Sequence, residues 1–337
     1  MIRDAIAAIV SGNDLTEEEA SQCMQELMSD EATPSQAAAL LVALRMKGET
    51  VDEITGMVRV MREKALHVDA GPNVLDVVGT GGGFDPFNIS TAASLVCAGA
   101  GARVVKHGNR GFTSSSGAAD VLEALGAKLE LTPEQMRVVV EKAGFAFLFA
   151  QSLHPAMRFV GPTRREIGVR TVFNSLGPLT NPAGARYQLI GVSTMEMADK
   201  VSQVLRRLGT GRALVVHSDD GMDEVSLGAP TTVHEVTGND VRTYTLTADD
   251  LGLPAIPPDE VLTGTKDENA ARMRDLLDGA ESADRQYVLA NAGLALYAVE
   301  RVHDIKTGVE QARRSIDSGS AKRVLEAYVA ATNSFGG

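Results

Sequence analysis

The spacing of apolar residues divides the chain into two regions with different predicted secondary structure. Through residue 67, apolar side chains recur at helical spacing, as they do over residues 20–28, which predicts helices alone. Thr16, Thr33 and Thr50 precede these runs, and each carries a helix-start signal, either a glutamate three positions later or an adjacent proline. Gly48 is placed to end one of the helices. The first region is therefore predicted to be all-helical.

From residue 73 the pattern changes to short apolar runs bounded by turn residues. The predicted strands are residues 73–78, 103–106, 145–150, 187–192 and 212–217. Helices are predicted between most of them, at about 90–100, 116–126, 133–143 and 195–208. A further β-excursion is expected over residues 229–247, and the tail from about 267 is helical again. Strands that alternate with helices predict βαβ units and a parallel sheet.

Together these patterns predict an α/β protein in which a small all-helical N-terminal domain precedes a larger α/β domain with a mostly parallel central sheet flanked by helices. The helical domain is expected over residues 1–70, and the α/β domain over residues 73–158 and 185–337. Between these domains, a segment rich in prolines and arginines interrupts the alternation of strands and helices. Part of residues 159–184 is therefore expected either to return to the helical domain or to form the hinge.

Composition and charge narrow the possible functions. The 337 residues are 44% hydrophobic and 23% charged, which excludes wholesale disorder. Lys and Arg number 32 against 44 Asp and Glu, so the net charge of -12 disfavours binding to a nucleic-acid backbone or an anionic membrane. A small anionic ligand is still compatible with that charge, because a local pocket of N–H groups and a few cations can hold it.

Cysteine usage and the absence of long apolar runs indicate the compartment. Cys23 and Cys97 are far apart, so neither a disulfide framework nor a cysteine zinc site is encoded, which fits a reducing compartment. Neither a membrane-spanning run nor a secretory signal is recognisable, and a cytoplasmic location is expected.

A glycine-rich loop follows the first predicted strand. Residues 79–83 read Gly-Thr-Gly-Gly-Gly, and such glycines let backbone N–H groups approach an anion. Neither a P-loop nor G-x-G-x-x-G is present, because Phe84 stands where the last glycine of the second motif belongs. A glycine cluster alone is often only a turn. Asn88, Ser90 and Thr91 strengthen the ligand-binding interpretation, the alternative being that Ser90 or Thr91 is just an N-cap.

A second anion-suited loop follows the second predicted strand. Residues 106–111 read Lys-His-Gly-Asn-Arg-Gly and run into hydroxyl-bearing residues. Lys106 and Arg110 can neutralise phosphates, and the alternative is a mobile surface loop. Loops after adjacent parallel strands open on the same edge of the sheet, which favours a shared ligand site. His107 is ambiguous by itself.

Later motifs add carboxylates and arginines. Asp223 and Glu224 follow a strand and suit Mg²⁺, which takes one or two carboxylates plus water and phosphate oxygens, although an isolated pair of this kind is more often a solvated turn. Arg164 and Arg165 are adjacent, so only one is expected to face a given pocket, where it would hold a carboxylate or phosphate; an ion pair is the alternative. These features indicate an enzyme that handles a phosphorylated metabolite with Mg²⁺.

Over nearly its whole length, the chain resembles the anthranilate phosphoribosyltransferases. The motifs that carry the resemblance are residues 78–82, 87–91, 106–111, 116–117 with 119–120, 154–157, 164–166, 174–182 and 223–224. The pyrimidine nucleoside phosphorylases share the fold but have a Lys-His-Ser-type second loop in place of the sequence that begins at Lys106. The motifs are therefore more similar to those of the transferases.

The resemblance implies a helical domain that dimerises, so that the protein is a homodimer, and an α/β domain that binds phosphoribosyl pyrophosphate (PRPP). It implies transfer of the phosphoribosyl group from PRPP to the amine of anthranilate, in tryptophan synthesis, with a pair of Mg²⁺ ions in each subunit. No residue is implied as an acid or base; stabilisation of the leaving pyrophosphate is attributed to the metal and Lys106.

The resemblance also implies the residues of each subsite. PRPP is expected at Gly79, Gly82, Gly83, Phe87, Asn88, Ile89, Ser90, Thr91, Lys106, His107, Gly108, Asn109, Arg110, Gly111, Phe112, Thr113, Ser114 and Ala118. Anthranilate is expected near Gly79, Asn109, Arg164, His107, His154 and Pro178. Mg²⁺ is expected at Ser90, Asp223 and Glu224.

Two positions depart from the family's pattern. Gly83 stands where an aspartate is usual, and Ala118 stands where a serine is frequent. Two other functions are considered as alternatives to the transferase activity. One is that of a pyrimidine nucleoside phosphorylase, and the other is that of a non-enzymatic nucleic-acid-binding relative of the same fold. The negative net charge and the presence of Asp223 and Glu224 both oppose the second alternative.

Overall fold

The computed structural model describes residues 1–111 and 116–335. The N-terminal region is helical, as predicted. Its helices are α1 Ile2–Val10, α2 Glu17–Leu27, α3 Pro34–Lys47 and α4 Val51–Lys64. The predicted helix starts are confirmed, because Thr16, Thr33 and Thr50 each accept a hydrogen bond from the backbone N–H three residues on, where a Glu or Gln side chain returns the bond. Gly48 ends α3 with φ +86°, as glycine readily allows.

The larger region contains a seven-stranded sheet. Its strands are β1 Val74–Gly79, β2 Arg103–Gly108, β3 Phe145–Phe149, β4 Tyr187–Gly191, β5 Arg212–Ser218, β6 Thr231–Thr237 and β7 Asp240–Leu246. Their order across the sheet is β3-β2-β1-β4-β5-β6-β7, and the first five are parallel. The excursion predicted over residues 229–247 is the antiparallel pair β6–β7, which extends the edge of the same sheet. The predicted fold class is therefore confirmed.

Helices cover both faces of this sheet. They are α5 Ile89–Gly99, α6 Ala118–Ala124, α7 Pro133–Ala143, α8 Ala150–Leu153, α9 Gly161–Ile167, α10 Phe173–Leu176, α11 Met195–Leu208, α12 Ala248–Leu251, α13 Lys266–Leu277, α14 Ala283–Ala298, α15 Ile305–Asp317 and α16 Ser320–Asn333. Short 3₁₀ helices lie at Pro155–Arg158, Gly177–Leu179 and Pro258–Val261. In the described ranges, no helix combines the length and the apolar character needed to cross a membrane.

Among the described residues, the buried apolar side chains form two clusters. The larger cluster packs α5, α7, α14 and α16 against the sheet. The smaller cluster joins the N-terminal helices to α11 and to the other face of β4 and β5. Val160, Phe173, Leu176 and Leu179 belong to the smaller cluster, so the stretch between β3 and β4 packs against the N-terminal helices. This stretch therefore forms a wall between the N-terminal helices and the ends of β1 and β2.

Candidate active site

Three loops meet at the carboxyl edge of the parallel sheet. β1 ends at Gly79, its neighbour β2 ends at Gly108, and β5 ends at Ser218, two strands from β1 on the other side. Because parallel strands end on the same edge, the glycine loop, the second loop and the turn with Asp223 and Glu224 face one crevice.

The glycine loop lies directly against Asp223. The Gly81 N–H donates to Asp223 Oδ2 over 2.6 Å. A Cβ atom at Gly79 would overlap the Asp223 carboxylate, and one at Gly191 would overlap the Asp223 backbone. Gly82 has φ +90°, a conformation that favours glycine. The glycines are therefore required for the close approach of two loops as well as for a turn.

Asp223 and Glu224 are buried, so the alternative that they form a solvated turn is wrong. Their exposed fractions are 7% and 9%. Burial raises the pKa of both carboxyls, and the charge of Asp223 raises that of Glu224 further. Lys106 is also buried, and its Nζ donates to Val77 O over 2.5 Å and to Ser90 Oγ over 3.1 Å. The ammonium charge of Lys106 opposes the rise in the pKa of Glu224.

The donor atoms here suit a hard divalent cation. Ser90 contributes a hydroxyl next to the Glu224 carboxylate, and Asp223 contributes a second carboxylate. Within residues 1–111 and 116–335, no three His, Cys, Asp or Glu side chains cluster as metal ligands. A cation at these oxygens would therefore complete its shell with water and substrate oxygens, as Mg²⁺ commonly does. The residues present fit Mg²⁺ on that basis.

The start of α5 is tied to the second loop through Asn88. The helix begins at Ile89 with Asn88 as its N-cap residue, so Ser90 and Thr91 are not N-caps, contrary to the simpler alternative. Asn88 Nδ2 donates to Ser116 O over 2.9 Å. Asn269, fully buried on α13, donates to Asn88 Oδ1 over 2.9 Å. No sequence motif pointed to Asn269, which only the fold brings to this place.

The predicted PRPP residues near Asn88 differ in which of their atoms could contact a ligand. Phe87 and Ile89 are buried in the larger apolar cluster, so only their backbone atoms could reach a ligand. The buried Thr91 hydroxyl has no hydrogen-bond partner among the described residues. Ala118 begins α6 and is partly exposed. Predicted residues Phe112, Thr113 and Ser114 lie outside the described residues.

Of the residues predicted as the second loop, 106–108 belong to β2, and side chains of neighbouring elements hold this segment in place. The His107 N–H donates to Asp76 Oδ1 over 3.1 Å, and burial raises the pKa of Asp76 to about 6. Arg110 is exposed and pairs with Asp120 and Glu123 on α6. In this structure its guanidinium is therefore engaged by carboxylates.

A cavity of about 680 Å³ opens beside this loop. It contains every residue that was predicted for anthranilate: Gly79, His107, Asn109, His154, Arg164 and Pro178. Both Arg164 and Arg165 line it, so the expectation that only one could face a given pocket is wrong. Asp223, Glu224 and Lys106 do not line the cavity, and the Asp223 carboxylate lies against Gly79. The cavity and the corner formed by Asp223 and Glu224 thus adjoin at Gly79, although residues 108–111, which were predicted for PRPP, also line the cavity.

The cavity wall carries several arginines and two neutral histidines. Arg164 stacks 4.7 Å above the Phe173 ring, and burial lowers the pKa of its guanidinium to about 10. The rings of His107 and His154 lie 5.1 Å apart, and burial lowers their pKa values to about 3 and about 4. His107 Nε2 is buried without a hydrogen-bond partner among the described residues. The His154 ring is also buried, and the Thr180 backbone opposes the fall in its pKa. An unpartnered nitrogen such as His107 Nε2 at a cavity indicates a ligand site.

Gly83 and Asp85 bear on the departure from the family's pattern. A Cβ at Gly83 would overlap the backbone carbonyl of Gly221, so an aspartate could not stand there without movement of the loop before Asp223. The charge of Asp85 raises the pKa of Asp223, so its carboxylate lies near the same corner. Two positions after Gly83, this chain therefore still supplies a negative charge.

Comparisons with known proteins give a consistent result. The sequence model of the glycosyl transferase family a/b domain matches residues 71–322, and that of its helical bundle domain matches residues 3–65. Anthranilate phosphoribosyltransferase from Symbiobacterium thermophilum is 51% identical over 94% of each chain. The crystal structure of anthranilate phosphoribosyltransferase from Thermus thermophilus has a TM-score of 0.92 at 45% identity, covering 98% of this chain and 99% of its own.

The yeast protein extends the comparison to bound ligands. The structure of anthranilate phosphoribosyltransferase from Saccharomyces cerevisiae with PRPP and Mg has a TM-score of 0.92 at 26% identity, covering 99% of this chain and 98% of its own. A second structure of that protein, with 4-fluoroanthranilate, has a TM-score of 0.88 at 25% identity, with the same coverage. The motifs, the fold and these relatives agree: the chain belongs to the glycosyl transferase family and, within it, to the anthranilate phosphoribosyltransferases.

Proposed function

We propose that this chain transfers the phosphoribosyl group of PRPP to the amine of anthranilate at a site whose two halves meet at Gly79. The position of this glycine is the observation that supports the proposal most directly. Gly79 lines the cavity that contains Arg164, and a Cβ on it would overlap the Asp223 carboxylate on the other side. An acceptor in the cavity and a diphosphate ester along the glycine loop would therefore bring their reacting atoms to the same place.

The donor half consists of the glycine loop, the start of α5 and the second loop, whose residues 108–111 also line the cavity. The positive end of the α5 dipole points into the crevice, where it favours an anion. Lys106 contributes a buried ammonium next to Ser90. PRPP is proposed to lie along this surface, and Lys106 is proposed to stabilise the pyrophosphate as negative charge develops on it.

Ser90, Asp223 and Glu224 are the residues proposed to hold Mg²⁺, as a pair of ions in each subunit. When bound, Mg²⁺ neutralises the charge that accumulates on a leaving pyrophosphate. The chain's own contribution is to keep two carboxylates buried and close together at this corner, where the bond from the Gly81 N–H fixes Asp223.

The acceptor half is the cavity, in which Arg164 is proposed to bind the carboxylate of anthranilate. An aniline-type amine is already neutral at pH 7, so it requires no strong base before it attacks C1′ of the ribose. The neutral His107 and His154 suit a site that binds a neutral amine, because they offer hydrogen bonds without adding charge beside the reacting carbon. Asn109 and Pro178 complete the wall of the cavity on the side of the second loop.

The domain division and the assembly are part of the proposal. Residues 1–70 are proposed to form a dimerisation domain, and Val10 and Met46 support this because they expose 73% and 84% of their surface on the helical region. We propose a homodimer that acts in the cytoplasm and binds neither nucleic acid nor membrane. Sedimentation velocity tests the assembly, and a monomer at micromolar concentration would contradict it.

The activity is tested by mixing the protein with anthranilate, PRPP and Mg²⁺ and following the loss of anthranilate fluorescence. The loss is expected only when all three are present. Cleavage of a pyrimidine nucleoside by phosphate, without consumption of anthranilate, would instead indicate the phosphorylase. Nucleic-acid binding in a filter assay, with neither reaction, would indicate the non-enzymatic alternative.

A further inference from the structure

Arg170 connects the acceptor half of the site to the donor half. It lies between α9 and α10, the two helices that bring Arg164 and Phe173 to the cavity. Its side chain leaves that stretch and reaches the glycine loop, where Nη2 donates to Thr80 O over 3.1 Å. The guanidinium rests directly on Gly82, so that any Cβ at that position would overlap it.

The charge of Arg170 also acts on Asp223, at the corner that Asp223 forms with Glu224. Burial lowers the pKa of its guanidinium, and the charge of Asp223 opposes that shift. The charge of Arg170 in turn limits how far burial raises the pKa of Asp223. Arg170 and Lys106 both interact electrostatically with Asp223. Arg170 does so from the stretch between α9 and α10, and Lys106 does so from β2.

We propose that Arg170 is a positioning residue for PRPP, which fixes the turn at Thr80 and Gly82 and directs its remaining N–H donors toward the diphosphate. A guanidinium has five N–H donors in a planar fork, and the bond to Thr80 uses one of them. The side chain is only partly buried, so the rest of the fork is accessible to an anion over the loop. This inference rests on the proposed function of the site.

The test replaces Arg170 with Gln, which keeps much of the length and polarity but removes the charge. PRPP binding is measured by calorimetry in Mg²⁺ buffer without anthranilate, and KM is measured for each substrate. We expect Kd and KM for PRPP to rise about tenfold or more, as for the loss of a charge-assisted hydrogen bond, while KM for anthranilate changes little. Arg59→Gln, which removes an exposed ion pair with Glu17 on the helical region, is the matched control and should behave like wild type.

Several outcomes would overturn the inference. One is unchanged PRPP binding in folded Arg170→Gln; another is an equal rise in both KM values together with a lower melting temperature. Arg170→Lys supplies a second test if the Gln variant does not fold. It keeps the charge without the fork, and we expect weaker PRPP binding at an unchanged melting temperature, whereas wild-type binding would contradict the role. Failure of wild type to consume anthranilate would instead refute the proposed function, since calorimetry tests Arg170 without turnover.

Discussion

Cationic side chains lie on both sides of Gly79, and we propose that Lys106 and Arg164 determine what each half of the site binds. Lys106 is buried beside Ser90 on the donor side, and Arg164 is largely removed from water on the acceptor side. In each case burial lowers the pKa of the cation. Because a buried charge without a partner costs free energy, the position of Arg164 favours the binding of an anion. Lys106 already donates to Val77 O and Ser90 Oγ and interacts with the charges of Asp76, Asp223 and Glu224.

Arg164→Ala should selectively impair the use of anthranilate. Loss of a charge-assisted bond worth about 1.5–3 kcal/mol predicts a decrease of about 10- to 100-fold in kcat/KM for anthranilate, with little change in KM for PRPP. Steady-state kinetics with each substrate varied in turn measures both values. Arg165→Ala, at the more exposed neighbouring position, is the control and should have a smaller effect. Equal damage to both substrates would show that Arg164 supports the fold or binds phosphate.

The two cavity histidines predict how stability depends on pH. Their folded pKa values, about 3 for His107 and about 4 for His154, lie below the ordinary 6.5. Below pH 6.5 the unfolded chain therefore takes up protons that the folded chain does not, so stability is full above this pH and falls as the pH drops toward 4. His154→Gln should flatten the acid limb of a plot of melting temperature against pH. An unchanged acid limb would contradict the assignment of a neutral, buried His154.

At the scale of elements, the turn after β5 brings two like charges into a buried position. In free protein such a pair opposes folding, since burial raises the pKa of both carboxyls and the charge of Asp223 raises that of Glu224 further. On the proposed function, the same pair would hold Mg²⁺ when the cation is bound. The turn would then combine lower stability of the free protein with affinity for a cation.

Changing Asp223 to Asn and Glu224 to Gln together should separate these two effects. Activity is expected to fall about 100-fold or more, because stabilisation of the leaving group acts in the transition state. The melting temperature in metal-free buffer should stay the same or rise, because buried charge is removed while shape is kept. Wild-type turnover with an unchanged Mg²⁺ dependence would refute the metal role. A large loss of stability would show that the carboxylates hold the loop together.

Some elements could be predicted from local signals alone, and others could not. The capping threonines and the βα alternation are determined by neighbouring residues, and they lie where they were predicted. The second loop begins later than predicted, because β2 runs to Gly108 and includes Lys106 and His107. The burial of Asp223 and the approaches of Asn269 and Arg170 depend on residues about 90 to 180 positions away in sequence. Hydrophobic periodicity carries no information about such long-range contacts, because they form only when the sheet packs with the stretch between β3 and β4.

At the scale of the whole molecule, the site lies where the two apolar clusters meet. Met61 on α4 lines the cavity together with His107 of β2, so the helical region forms part of the acceptor wall. The donor half is built from the ends of β1, β2 and β5, and Arg170 reaches it from the stretch between β3 and β4. The stretch between β3 and β4 contacts both regions and supplies Arg164 and Arg170, which makes it the part of the chain that joins the two halves.

The central claim is that the two substrates meet at Gly79. Crystal structures would test it most directly, with crystals of the wild-type protein soaked separately in anthranilate and in PRPP plus Mg²⁺. We predict that anthranilate occupies the cavity with its carboxylate on Arg164 and its amine toward Gly79. We also predict that the ribose of PRPP reaches Gly79 from the other side, with its pyrophosphate near Asp223 and Lys106. Density for either ligand away from Gly79, or for both ligands on the same side of it, would contradict the account.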